Sequence, residues 1–562
     1  MKKILTLLAS IAAGTALLAG PVGQDKALKA ARGFFADTKS ADLTLVWDGE
    51  SAGTKTGSGE PAFYVYNRAG GGFVIISGDD KVQPILGYSR SGSFVTEGMP
   101  ENIAGWMSDV RSAVLLARDD SSLKTMDGWE EEAGAPADAV VYYETALWSQ
   151  GAPYNSKCPK IFGDATLTGC VATALAIVMR YWKWPDAGAG TLPGYSYVDD
   201  NGNTQNVSSI TLGNLYAWDN MPLTNLAKGG ASDVQKAQVA QLMYDCGVMM
   251  KMKFDTGGSS AVLADIVETL PKYMKYDKAL GVEQARHYAA TSWISVVKKG
   301  LDEGPLLYSG QGDSAGHAFV LTGYDSSDRF YINWGWGGKD NGYFAYPGIG
   351  KYVTSNKAYP GVRPDQGGKG EAKLIAESLS SSTTTYAKGL SFVVKATNVW
   401  NYGSENFSGQ MAIGKLASDG TLEIISTAKT YSNLAFRHGW STLPFNCSIE
   451  SEIKDGDKIG MFYQIDGQTQ WRSVLYDLEK GGGMIAVDGL DDISKRTSVV
   501  YVVATKTLRI SSREGVDIRL EKEDGSVLKS GVGSLEVQGP ASGSYRLVLS
   551  YGDLKKTIEI VL

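Results

Sequence analysis

Gly316-His317-Ala318-Phe319-Val320 is followed within a short span by Asn333-Trp334-Gly335-Trp336-Gly337-Gly338, and far upstream Thr168-Gly169-Cys170-Val171-Ala172 opens a helical pattern. The chain contains only 4 Cys and 3 His. One of each sits beside a glycine at the border of a strongly patterned element, and an Asn follows in chain order. This is the layout of a thiol nucleophile, its imidazole base and an amide that orients the base. A thiol reacts as the thiolate, and a free Cys titrates at about 8.5. At a helix N-terminus Cys170 meets the positive end of the dipole and exposed amide groups. Pairing with His317 would lower its pKa further. Asn333 is expected to accept the second ring N–H and fix the tautomer, with Trp336 shielding that bond. In Trp148-Ser149-Gln150 the amide of Gln150 is a candidate oxyanion donor. Singly, each feature also fits a buried core Cys, a structural His and an aromatic turn. Jointly, such readings leave the order Cys, His, Asn unexplained.

Bulk properties narrow the field. A chain of 562 residues is too long for one core, and 43% hydrophobic with 20% charged residues is ordinary globular composition. The net charge of −7 brings no basic stripe and argues against nucleic-acid binding. Lys2-Lys3, an apolar run through Leu18-Ala19 and then Gly20-Pro21 read as an export signal over residues 1–20. No later stretch approaches the roughly 18 apolar residues of a membrane span. Cys158, Cys170, Cys246 and Cys447 are too scattered for a zinc site or a disulfide scaffold. Two bridges stay arithmetically open. With Cys170 free, the other three are expected to be small buried hydrophobes.

Along the chain, Lys26 to Phe35 has helical periodicity. Ala62 to Asn67 and Phe73 to Ser77 flank Gly70-Gly71-Gly72 as a hairpin, Ile85 to Tyr88 extends the sheet, and Ile103 to Leu116 reads as a helix. This is a small α+β domain over 21–125. Residues 126–139, with Glu130-Glu131-Glu132, read as an exposed linker. In 140–366, Cys170 to Trp184 is expected to be a helix stopped by Pro185, with Val171, Ala174, Leu175, Val178 and Trp182 on a core-facing stripe. Further helices are read over 234–250 and 288–299, and strands over 306–309, 317–324, 330–333 and 342–345. Beyond Gly367-Gly368-Lys369-Gly370, short strands and Asp-Gly turns are expected to form a β-sandwich over 370–489 and a smaller β unit over 495–562.

The blocks Trp148 to Asn155, Thr168 to Ala174, Gly316 to Val320 and Asn333 to Gly338 together resemble the streptopain family of cysteine proteases. The separations of Cys170, His317 and Asn333 also lie near the papain-like range. Gly72-Phe73-Val74-Ile75-Ile76-Ser77-Gly78-Asp79-Asp80 with Ile85-Leu86-Gly87-Tyr88 is similar to that family's inhibitory pro-domain. The resemblance implies an α+β papain-like catalytic domain behind a small α+β pro-domain, here followed by two all-β, immunoglobulin-like domains. It implies a secreted endopeptidase zymogen with Cys170 as nucleophile, His317 as base, Gln150 as oxyanion donor, and Asn333 and Trp336 around the histidine. Expected partners are protein or peptide substrates and the chain's own pro-domain, with no cofactor, no metal and no nucleic acid. The last unit also resembles a secretion sorting domain, with a plain immunoglobulin-like module as the alternative. A transglutaminase-like transferase, which usually carries Asp where Asn333 stands, and a non-catalytic surface adhesin are the competing functions.

Overall fold

Strands Phe63–Arg68 and Phe73–Ser77 pair across the Gly70-Gly71-Gly72 turn, with Phe63 opposite Ser77. The computed structural model describes residues 19–35, 42–48, 61–129, 138–311, 316–347 and 355–561, the last range interrupted at 385, 387, 455, 488–496, 503–505, 513–514 and 552–553. The expected signal sequence therefore lies almost wholly outside the described residues. The chain forms two units, which divide between Lys369 and Gly370.

In the first unit, the described residues form an eleven-stranded sheet. Its order runs Leu43–Trp47, Phe63–Arg68, Phe73–Ser77, Ile85–Ser89, Gly342–Ala345, Arg329–Asn333, Gly316–Asp325, Leu306–Gln311, Lys357–Tyr359 and Glu283–Gln284. Ala139–Tyr142 pairs off this path with Gly316–Asp325. The first four strands precede residue 125 and the others follow 138, so one sheet spans both segments. The seam is the antiparallel pairing of Tyr343 with Tyr88 and Phe344 with Gly87. Glycine is required there by close approach: a Cβ on Gly87 would lie 2.8 Å from the Tyr343 carbonyl oxygen, and one on Gly342 2.5 Å from that of Tyr88.

Two helices cover the N-terminal strands. α1 (Gln24–Phe34) buries Ala27, Ala31 and Phe34 in one cluster with Tyr64, Val74 and Ile76. α2 (Glu101–Asp119) buries Ile103, Trp106 and Val110 in a cluster that also holds Phe63, Ile75, Phe319, Ile332 and Trp334. Apolar burial is therefore shared across the seam, at about 25 cal/mol per Å² of area removed from water. The segment expected to be an exposed linker is docked at its start: Trp129 is buried and donates its indole N–H to Val82 O at 2.8 Å. Residues 130–137 lie outside the described residues.

α3 (Cys170–Trp182) ends where Lys183 turns left-handed, two residues before Pro185. Every residue from Val171 to Met179 is buried, so the expected stripe widens to the whole surface of the helix. Trp182 is half-buried at its end and donates to Val362 O at 2.8 Å. α4 (Asp233–Met249) starts with a reciprocal Ser232–Gln235 capping box. α5 (Ile266–Met274) and α6 (Ala290–Leu301) follow. No helix among the described residues is long and apolar enough to cross a membrane.

The second unit is all β apart from a short 3-10 turn at Leu478–Lys480 among the described residues. A sheet of Ser378–Ser381, Ser391–Asn401, Leu374–Ala376, Leu475–Tyr476 and Gly439–Ser448 and a second sheet around Phe407–Leu416 and Lys458–Ile465 share a core of Val394, Met411, Ile413, Phe445, Ile459 and Met461. A smaller pair of sheets, from Ser498 onward, closes over Leu508, Ile510, Ile518, Leu520, Leu547 and Leu549.

Candidate active site

Cys170 is the first residue of α3, half-buried and free. Gly169 before it has φ +83°, and a Cβ there would meet the Met252 side chain at 2.8 Å and the Ser259 carbonyl oxygen at 2.9 Å. The turn that presents the thiol therefore admits only glycine. Thr168 fastens this turn to the Gln150 block: its N–H donates to Gln150 O at 3.1 Å, and its hydroxyl to the same oxygen at 3.3 Å. Gln150 is buried. The Trp336 loop joins the same cluster through the Gly337 N–H, which donates to Trp148 O at 2.9 Å.

His317 enters on the strand Gly316–Asp325, against which α3 packs. Burial pushes the Cys170 thiol upward, while the backbone of its neighbour Ala318, with Val171 and Cys170 itself, pulls the other way. Burial also lowers the His317 imidazole below its usual 6.5, opposed by Glu101. Both shifts favour the neutral forms, a thiol and an uncharged ring. The ring is turned to the N-terminal segment: His317 Nε2 lies 3.2 Å from Glu101 Oε2, and Nδ1 is buried without a hydrogen-bond partner among the described residues.

Asn333 is one strand away, in register with Val320. Its amide nitrogen donates to Thr145 Oγ1 and Ala146 O, each at 3.0 Å, and its oxygen accepts from the Gly335 N–H at 3.2 Å. In this state the amide is engaged away from His317, in place of the expected hydrogen bond. Trp336 is half-buried, and its indole N–H donates to Asn102 Oδ1 at 3.1 Å. The four quoted blocks thus converge, with the start of α2 set against His317 and Trp336.

The Peptidase C10 family pattern matches residues 148–344, and that of the Spi protease inhibitor matches residues 19–114. Streptopain from Streptococcus pyogenes is 32% identical over 373 residues, covering 60% of this chain and 90% of streptopain. The chain belongs to the streptopain family of cysteine endopeptidases. The thiol protease/hemagglutinin PrtT of Porphyromonas gingivalis is 28% identical over 550 residues, or 91% of this chain. This chain spans 59% of the length of PrtT. Among solved structures, a fragment of prointerpain A of Prevotella intermedia aligns over 58% of this chain and 99% of the fragment, at 26% identity and a TM-score of 0.45.

Glu101 and Asn102 are the site residues that sequence reasoning missed in this streptopain-family chain. Pro100, just before α2, signals a helix start. Nothing local signals that this start would reach residues more than two hundred positions downstream.

Proposed function

We propose that this chain is the zymogen of an exported cysteine endopeptidase that cleaves proteins or peptides. Cys170 attacks the scissile carbonyl as a thiolate, forming an acyl-enzyme. His317 takes the thiol proton and returns it to the leaving amine, and water then hydrolyses the thioester. Gln150 supports the oxyanion with its side-chain amide. Asn333 orients the ring and Trp336 covers it, once both are free of their present partners.

The single observation that carries this reading is the Glu101–His317 contact of 3.2 Å. It supports residues 21–125 as an intramolecular inhibitor, since Glu101 holds the ring through Nε2 and turns it to the N-terminal segment. Release of α2 would let His317 turn to Cys170 and raise the thiolate fraction. The processing site is assigned to the acidic stretch before Val140, and export to residues 1–20.

The two β units after residue 370 are read as immunoglobulin-like modules outside the catalytic machinery. PrtT is named both protease and hemagglutinin, and the match to it extends over 550 residues. That favours a second, adhesive role for these modules alongside peptidase activity.

Labelling the processed enzyme with an irreversible thiol-protease inhibitor and locating the adduct by mass spectrometry tests the assignment. Modification at Cys170 with matching loss of peptide hydrolysis is expected. Full inactivation with the adduct at another residue would refute it.

A further inference from the structure

The loop after Asn333 is gripped from outside at several points by the N-terminal segment. Beside the Asn102–Trp336 bond, the Lys339 ammonium donates to the carbonyl oxygens of Glu97 and Gly98 at 3.3 and 3.1 Å. The backbone N–H of Val95 donates to Asp340 Oδ1 at 2.8 Å. Asp340 cannot easily withdraw, because its own carbonyl accepts the Trp334 indole N–H at 3.1 Å.

Asp340 is 3% exposed and lines a cavity of about 350 Å³ between the two segments. Ser91, Ser93 and Val95 form one side of it, and Trp336 and Lys339 the other. The second carboxyl oxygen, Oδ2, is buried with no hydrogen-bond partner among the described residues. An ionised carboxylate held in this way has one satisfied oxygen and one that is charged and dry. Protonation removes that charge.

We propose that Asp340 is a proton-linked latch: protonated, it holds the N-terminal segment on the loop that carries Asn333 and Trp336, and ionised, it loosens that segment. The inference rests on the reading of residues 21–125 as an inhibitory segment. Burial raises the carboxyl from 3.8 to about 6, against the pull of the Val95 N–H and of Lys339. The charged groups near it are Lys339 on its own loop and Lys228, which lines the same cavity. From the opposing segment Glu97 contributes its backbone carbonyl, which is turned to Lys339.

The sign follows from the raised value. Docking takes up a proton, so the hold is full below about 4 and is lost as pH rises through about 6. A difference of about two pKa units corresponds to at most roughly 100-fold in the docking equilibrium. Neutral or alkaline surroundings would therefore favour release of the segment.

The test is amide hydrogen exchange on the full-length chain, carrying Cys170→Ala to block processing, from pH 5 to 7.5 and corrected for intrinsic exchange. Protection of residues 91–103 is expected to fall at least tenfold over this range, and to stay level when Asp340→Asn is added. Asp340→Ala, which also lacks the titrating group, serves the same comparison if the Asn variant does not fold. His317 is a second titratable group facing this segment, so the difference between chains decides. An equal fall with and without Asp340, or no fall at all, would overturn the latch while leaving a docked inhibitory segment in place. A segment unprotected at every pH in all chains would overturn the latch together with the reading beneath it.

Discussion

The Glu101 carboxylate lies 3.2 Å from His317 Nε2, and the opposite ring nitrogen has no hydrogen-bond partner among the described residues. The proposed base is thus held at one nitrogen by the N-terminal segment, and the next residue, Asn102, takes the Trp336 indole N–H.

These two neighbours should not contribute equally to latency. The Glu101 side chain is 61% exposed, and even with the ring protonated such an exposed pair contributes at most about 1 kcal/mol. Asn102 is 1% exposed, and losing its buried hydrogen bonds costs about 1–3 kcal/mol. Asn102→Ala should therefore speed self-processing of the full-length chain more than Glu101→Gln, with kcat of the processed enzyme unchanged in both. Time courses of processing followed by gel check this. A larger effect from Glu101→Gln would reassign the main restraint.

Gln150→Ala should lower kcat by about 10²–10³ if its amide supports the oxyanion. Asn333→Ala should cost less in rate than His317→Ala, because it orients and does not react. It should also lower Tm, since it strips hydrogen bonds from the buried Thr145, Ala146 and Gly335 groups. Steady-state kinetics and a melting curve on each variant separate the two effects. An unchanged kcat for Gln150→Ala would remove that residue from the site.

Much of this architecture is legible locally. The Gly70-Gly71-Gly72 hairpin, the apolar run of α3 with Pro185 after it, and the strands around His317 and Asn333 all carry short-range signals. α5 escaped because Pro271 sits inside it, and Gly439–Ser448 escaped because Pro444 interrupts a strand pattern. Both are places where tertiary packing overrides a local breaker. The seam between Tyr88 and Tyr343 joins residues far apart in the chain, and no periodicity can announce it. Cys170, His317, Gln150, Asn333 and Trp336 are candidates that local sequence offers, whereas Glu101 and Asn102, which meet His317 and Trp336 from a distant segment, carry no such signal.

The other thiols should be chemically quiet. Burial pushes Cys158 up to about 12 and Cys447 to about 11, and raises Cys246 well above its usual value. At pH 8 all three therefore remain protonated. Brief iodoacetamide treatment of the folded, processed enzyme should modify Cys170 and spare them, as read by peptide mass spectrometry. Equal labelling of Cys246 would mean that the core around α4 opens readily.

A chain stopped near Asp365 should keep its kcat on a short fluorogenic peptide. Every proposed catalytic residue precedes the division at Lys369. Deleting only residues 495–562 should alter delivery or surface retention and leave peptide hydrolysis unchanged. A folded truncation without peptidase activity would show that the β units complete the site.

The most direct measurement sets the full-length chain beside its Cys170→Ala variant, with N-terminal sequencing and peptide hydrolysis run on the same samples. The unsubstituted chain should acquire a new N-terminus in the acidic stretch before Val140 and gain activity as it does so. The variant should keep residues 21–125 attached and hydrolyse nothing. A variant that processes itself and cleaves peptide at the normal rate would contradict the assignment of Cys170 as nucleophile.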